Sequence, residues 1–183
     1  MPKNIPPPVS LPRWARAELN LESTVKFDNP LQEARFYAVF TTPSKQERVV
    51  EGFWDGGSTW RARIAPDELG EWQVALHLAK ANHEIVQSKS GAFVCRAAVG
   101  ETPFERHGPV RLAANKRHLE HADGTPFFWL ADTAWNGPLR ATDEEWARYL
   151  RERQRQQFTA IQWVTTQWRA APDGDREKNL AYT

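Results

Sequence analysis

Cysteine is nearly absent. Cys95 stands alone among 183 residues, so no disulfide can form within the chain and no Cys/His metal spacing exists. Its neighbours alternate apolar and polar, which reads as a buried, inert thiol. Long apolar runs are missing too. Nothing approaches the roughly 18 residues that would span a bilayer, so no membrane partner is expected. Residues 1–14, with Pro6-Pro7-Pro8, lack the apolar centre of a signal peptide. Taken as it stands, the chain is expected in the cytoplasm, or secreted if the true start lies upstream. Neither sign of charge is in excess: 24 Lys and Arg stand against 23 Asp and Glu, a formal net charge of +1. No basic cluster is interleaved with aromatics, which argues against nucleic acid as the main partner. The five histidines (His77, His83, His107, His118, His121) form no metal motif. His118 and His121 flank an expected strand, where a spacing of three puts them on opposite faces. No Gly-rich phosphate loop, Gly-x-Ser-x-Gly elbow or Cys/His dyad occurs. No metal and no cofactor is expected.

What the chain does hold is tryptophan, nine in all, within an otherwise ordinary globular balance of 40% hydrophobic and 26% charged residues. Indoles fill cores, and they also make flat platforms on which sugar rings stack. Residues 1–13 read as a Pro-rich lead-in. From Trp14 to about Ala98 the hydrophobic period is two. Ala15, Ala17, Leu19 and Leu21 alternate with polar residues, as do Phe36, Ala38 and Phe40. The pattern returns at Trp60, Ala62 and Ile64, at Trp72, Val74, Leu76 and Leu78, and at Phe93, Cys95 and Ala97. Alternation of this kind means strands with one wet face. Turn residues separate them, from Asn29-Pro30 through Asp55-Gly56-Gly57 to Ser90-Gly91. Six or seven short strands over residues 14–98 predict an Ig-like β-sandwich. The stretch from Pro66 to Trp72 reads either as a sandwich corner locked by a large ring or as a plain hairpin turn.

Residues 99–109, with two glycines and two prolines, read as a linker. Val110 to Ala113 and Arg117 to His121 then predict a small hairpin. Phe127-Phe128-Trp129-Leu130-Ala131 is a continuous apolar run, the signature of a parallel strand buried on both faces. Thr142 and Glu145 form a capping box that opens a helix running to about Gln157, with Trp146, Tyr149, Leu150 and Arg153 on one side. A second buried strand is expected at 159–165. Strand, helix and strand make a βαβ unit with parallel strands. Residues 166–183 are polar and offer no third strand, and a full barrel takes roughly 250 residues. The expected fold class is therefore mixed: an all-β Ig-like sandwich followed, at residues 110–183, by the first part of an incomplete α/β barrel of the TIM type.

Barrels carry function at the carboxyl ends of their strands. Here those ends are Asp132-Thr133-Ala134-Trp135-Asn136 and Thr166-Gln167-Trp168-Arg169. Each pairs an indole with polar groups, the mix that holds a sugar by its C–H faces and its hydroxyls. The candidate substrate-binding residues are Asp132, Trp135, Gln167 and Trp168. Asp132 reads equally as a helix cap or a loop brace, and Trp135 as a ring packed on the helix. Glycoside hydrolysis generally needs two flanking carboxyl groups. Only Asp132 is well placed, because Asp143, Glu144 and Glu145 suit a helix start. No catalytic residue can be assigned.

Three stretches together resemble the apiosidase-like glycoside hydrolase family: His107-Gly108-Pro109-Val110, residues 122–135, and Ile161-Gln162-Trp163-Val164. The central motif of that family runs Asp-Gly-x-Pro-Phe-Phe-x-Leu-Gly-Asp-Thr-Ala-Trp; Ala131 stands where Gly is common. Residues 50–56 and 66–72 resemble the Ig-like domain that often precedes the barrel. The resemblance implies a bacterial enzyme acting on plant cell-wall or related glycans. It also implies that the catalytic carboxylates lie on later strands, so this chain would not be catalytically complete alone. Its expected partners are a glycan substrate and the missing barrel elements of the same parent protein. Two other functions compete: a carbohydrate-binding sandwich using exposed indoles such as Trp54 or Trp60, and a structural sandwich bracing a neighbouring domain. An exposed apolar patch is expected around Phe128, Trp129, Ile161 and Trp163.

Overall fold

A computed structural model describes residues 10–180. The larger part of the Pro-rich lead-in, residues 1–9, lies outside the described residues. The chain divides into two compact units, one comprising residues up to 110 with 121–125, the other residues 111–120 with 126 onward.

The first unit is built on strands β1 (Leu11–Pro12), β2 (Ala17–Glu22), β3 (Ala34–Thr41), β4 (Glu47–Glu51), β5 (Phe53–Trp54), β6 (Thr59–Ile64), β7 (Gly70–Lys80) and β8 (Ile85–Arg96). Short helices α1 (Pro30–Glu33) and α2 (Pro103–His107) complete it. Five strands pair in the order β1-β8-β7-β3-β4 and three in the order β2-β6-β5. All these pairs are antiparallel except β1 with β8. One core cluster draws Phe36, Phe40, Trp72, Leu76 and Phe93 from the larger sheet and Leu19, Leu21, Trp60 and Ala62 from the smaller. The two sheets therefore share a single apolar interior, and the period-two pattern is its cause. Every second side chain points inward. The opposite face of β2 and β6 is a charge ladder, where Glu18 accepts from Arg61 (2.5 Å) and Arg63 (2.8 Å).

Gly52 carries the chain from β4 to β5, from one sheet to the other. A Cβ there would lie 2.2 Å from the Phe36 ring and 2.6 Å from the Arg61 carbonyl oxygen, so only glycine permits the crossing. At the turn before β7, the Trp72 indole donates to the Glu68 carbonyl (2.9 Å) and stacks on Phe93 at 5.8 Å. Arg48 reaches both Asp67 (2.5 Å) and Glu68 (2.9 Å). The turn is thus tied from inside by a ring and from outside by a fork of ion pairs. Cys95 is buried and free, and burial pushes its thiol pKa up, as an inert core thiol requires.

Trp60 is only 4% exposed and cannot serve as a sugar platform. Trp54 is half-buried, packs against the same core and spends its N–H on the Gly57 carbonyl. The inward alternation of β6 and the register Trp54↔Trp60 place both rings where the core needs them. Farther along, the Asp123 carboxylate accepts from the Thr125 amide (2.9 Å) and pairs with His107 (2.8 Å), closing the Asp123-Gly124 turn. The Thr125 amide first, then His107, hold its pKa at about 2. Buried His121 bonds the Gly108 carbonyl (2.7 Å).

The remaining strands are β9 (Val110–Leu112), β10 (Leu119–His121), β11 (Pro126–Phe127), β12 (Ala131–Thr133) and β13 (Ala160–Gln162), with helices α3 (Gly137–Arg140) and α4 (Asp143–Arg155). The apolar run 127–131 is not one strand. Its start pairs antiparallel with β10 and its end pairs parallel with β13. Phe128 (74% exposed) and Trp129 (61%) lie between the two ladders, in no strand. A run with two different pairing partners must leave one ladder before joining the other, and this break overrides its β propensity. The second strand is likewise shorter than expected. Trp163 is also exposed and Ile161 is half-buried, so three of the four residues of the expected patch are exposed. The helix start follows the capping box as read: Glu145 N–H donates to Thr142 Oγ1 (3.2 Å) and Thr142 N–H to Glu145 Oε2 (2.8 Å). Gln157, in left-handed backbone (φ 65°), turns the chain away after α4. The fold is thus mixed and rich in sheet, with one parallel strand–helix–strand unit at residues 131–162.

Candidate functional site

Within the second unit, β12 and β13 run parallel with Asp132 opposite Ile161 and Thr133 opposite Gln162. Their carboxyl ends stay side by side past the strands, because Ala134 N–H donates to the Gln162 carbonyl (2.9 Å) and Val164 N–H to that of Trp135 (3.0 Å). This continued pairing brings two of the expected site residues together. Trp135 and Trp168 meet edge to face, ring centroids 5.3 Å apart at 84°. The Trp168 indole donates to Asn136 Oδ1 (2.7 Å), which fixes its ring plane. Trp135 remains 43% exposed. Two indoles at right angles, one held by an amide, present apolar surface and hydrogen-bonding edges in one place.

Gln167 is beside this pair in sequence but turns its amide to the Pro172 carbonyl (3.1 Å) and braces the following loop. That loop is tied again by Arg140, which pairs with Asp173 (2.6 Å).

Asp132 faces the helix. Its Oδ2 accepts from the Tyr149 hydroxyl (2.7 Å) and from Arg153 Nε, and its Oδ1 from the Thr133 amide (2.8 Å). The Tyr149 hydroxyl first, then Arg153 and the Thr133 amide, hold its carboxyl below the ordinary range. A carboxylate with three donors and a lowered pKa is kept ionised, the opposite of what a general acid needs at neutral pH. Its geometry is that of a tie between β12 and α4. Their spacing of four places Tyr149 and Arg153 on one side of the helix, but nothing local in the sequence sets that side against Asp132.

Beside Trp135, the turn 134–137 and one flank of α4 enclose a cleft of about 650 Å³. Trp135, Trp146 and Tyr149 supply its apolar walls, and Asn136, Glu145, Arg148 and Glu152 its polar rim. Trp146 stacks on Tyr149 (5.2 Å, 18°) and meets Trp163 edge on (6.1 Å, 78°). A Cβ at Gly137 would lie 2.4 Å from the Trp146 ring, so the glycine lets the backbone close down on that indole. A second hollow of about 470 Å³ is lined by Trp129, Ala131, Thr133, Trp163 and neighbouring β13 residues. Among the described residues no group of three or more His, Cys, Asp or Glu side chains could hold a metal ion. No helix among them is long and apolar enough to cross a membrane.

Residues 113–182 match the model of a family described as the apiosidase-like catalytic domain, and residues 10–79 match that of a domain of unknown function, DUF5060. A solved structure from Bacteroides vulgatus ATCC 8482, of a protein provisionally named a glycoside hydrolase, shares the fold with a TM-score of 0.68 and 22% sequence identity. The likeness covers 85% of this chain and 28% of that one, so the present chain spans little more than a quarter of that protein's length. Among curated proteins none matches.

Proposed function

On the premise of an apiosidase-like glycoside hydrolase family, which the two adjacent family matches and the shared fold support, we propose that this chain forms the glycan-contacting leading part of a glycoside hydrolase. The observation that carries the proposal is that the residues matching the catalytic domain are those that set Trp135 against Trp168 at the carboxyl ends of two parallel strands. In this reading the first unit is an Ig-like brace, and β12, α4 and β13 open a (β/α)₈ barrel whose later strands bring the acid/base pair. Plant cell-wall or related glycans are the substrate class.

The chemistry of the described residues supports that division. Hydrolysis needs two carboxyl groups across the scissile bond, about 5–5.5 Å apart for retention or 6.5–9.5 Å for inversion. Asp132 is committed to Tyr149 and Arg153, Asp173 to Arg140, and Asp175 to the Asn179 amides. None is an uncommitted carboxyl beside the indole pair. The open edges of the β12–β13 pair and the exposed Phe128, Trp129 and Trp163 fit a sheet that continues into further barrel strands.

The test compares hydrolysis of a plant-oligosaccharide panel by the 183-residue chain and by a version extended through about 250 further residues. Activity in the extended protein alone is the expected result, with loss on Trp135→Ala. Activity in the short chain would overturn the division of labour, and inactivity of both across the panel would sink the hydrolase reading.

A further inference from the structure

We propose that the cleft beside Trp135 holds one neutral glycosyl unit, adjoining the unit contacted by the Trp135–Trp168 pair. The inference rests on the glycan reading above and deepens it. At about 650 Å³ the cleft falls within the roughly 300–1,000 Å³ span of small-molecule sites. It is continuous with the indole pair, because Trp135 belongs to both. A glycan contacted by that ring can therefore extend into the cleft without crossing open solvent.

The walls suit a sugar. Trp146 is held by stacking on Tyr149, by the edge-on Trp163 and by the close Gly137 backbone, so the aromatic wall that Trp135, Trp146 and Tyr149 share is rigid. Sugar rings present flat C–H faces to such surfaces, and their hydroxyls need donors at the rim. Arg148 supplies them: it lines the cleft, acts on Glu145 only through space, and spends none of its guanidinium N–H groups on a hydrogen bond within the described residues. Asn136 adds an amide whose oxygen is engaged by Trp168, leaving its N–H pair to point elsewhere.

Charge decides the class of sugar. Glu145, Arg148 and Glu152 are the charged residues that line the cleft. Glu145 is committed to the Thr142 cap, and Glu152 to Arg155 and Gln156. Both carboxyls are held below their ordinary pKa and stay ionised. Glu152 is offset by its ion pair with Arg155, and Glu145 lies in the field of Arg148, so the rim carries no surplus cation to hold a uronate and a neutral ring is the occupant.

The experiment titrates the 183-residue chain with xylohexaose, and separately with an oligogalacturonide of equal length, reading tryptophan fluorescence and calorimetric heat. Xylohexaose is expected to bind, and the oligogalacturonide to bind at least about tenfold more weakly. Arg148→Gln, an exposed substitution that breaks no internal bond, is expected to weaken xylohexaose binding about tenfold, the loss of one charge-assisted hydrogen bond. Equal binding by Arg148→Gln would overturn the cleft proposal and leave the glycan reading intact. Tighter binding of the oligogalacturonide would overturn the neutral assignment. Absence of any binding at about 10 mM would overturn the cleft as a site in this chain, while the hydrolysis assay still judges the family reading. Sensitivity to Arg148→Gln without sensitivity to Trp135→Ala would support the cleft and refute the indole pair as the first contact.

Discussion

Trp72 is the most informative residue to perturb, because its ring ties strands β3 and β8 of the larger sheet to the corner before β7. It is fully buried, stacks on Phe93 (5.8 Å, 14°), meets Phe40 edge on (6.4 Å) and donates to the Glu68 carbonyl (2.9 Å). Trp72→Ala removes all of this and leaves a cavity, a change that costs about 3–5 kcal/mol in well-packed cores. Trp72→Phe keeps a stacked ring and gives up the indole hydrogen bond, worth about 1 kcal/mol, with part of the ring volume. Against a total stability of about 5–15 kcal/mol, the alanine variant loses a large share and the phenylalanine variant a small one. Because the chain has two compact units, a single unfolding curve would mix their contributions. Hydrogen exchange of the β3–β7 ladder amides reads the first unit by itself. At 1.36 kcal/mol per tenfold, Trp72→Ala should speed exchange by about two to three and a half powers of ten. Trp72→Phe should speed it by about one. Exchange in Trp72→Ala within threefold of the parent would show that the corner ring does not hold the larger sheet, and the assignment of the core would be wrong.

Two further outcomes follow from local electrostatics and capping. The folded-state pKa of Asp123 is lowered to about 2 from 3.8, so its contribution to stability is fully present above 3.8 and is lost as pH falls from there through about 2. Urea midpoints measured across that window should drop for the parent and drop less for Asp123→Asn; an equal drop in both would assign the acid sensitivity elsewhere. Thr142→Ala removes the cap of α4 and should cost that helix about 0.5–2 kcal/mol. The loss should appear as faster exchange of the Glu145 amide, which donates to the Thr142 hydroxyl, with Ala147 and later amides less affected.

Reading the chain without coordinates recovers whatever depends on near neighbours. Phe36, Ala38 and Phe40, and Trp72, Val74, Leu76 and Leu78, are all buried as their period of two requires. The capping box of α4 and the buried Cys95 were equally legible, since each rests on residues a few positions apart. What depends on distant partners was not. The apolar run 127–131 looked like one buried strand, yet β10 claims its first residue and β13 its last. Trp60 and Trp54 were indistinguishable as surface or core indoles until the register of β5 with β6 placed them.

The candidate site divides along the same line. Composition and motif put indoles and polar groups after each parallel strand, so Trp135 and Trp168 were visible as candidates from the sequence. Their meeting at 5.3 Å, and the Asn136 oxygen that orients one of them across 32 residues, came only with the pairing of β12 and β13. Asp132 shows the limit most plainly. Its place at a strand end was local information, but its ties to Tyr149 and Arg153, 17 and 21 residues away, arise from the packing of α4 on that strand. Sequence alone determined the alternating strands, the helix and its cap, because backbone geometry repeats over two or 3.6 residues. Tertiary structure alone decided which carboxylate is tied and which indole is exposed, because those are properties of neighbours that only the folded chain brings within reach.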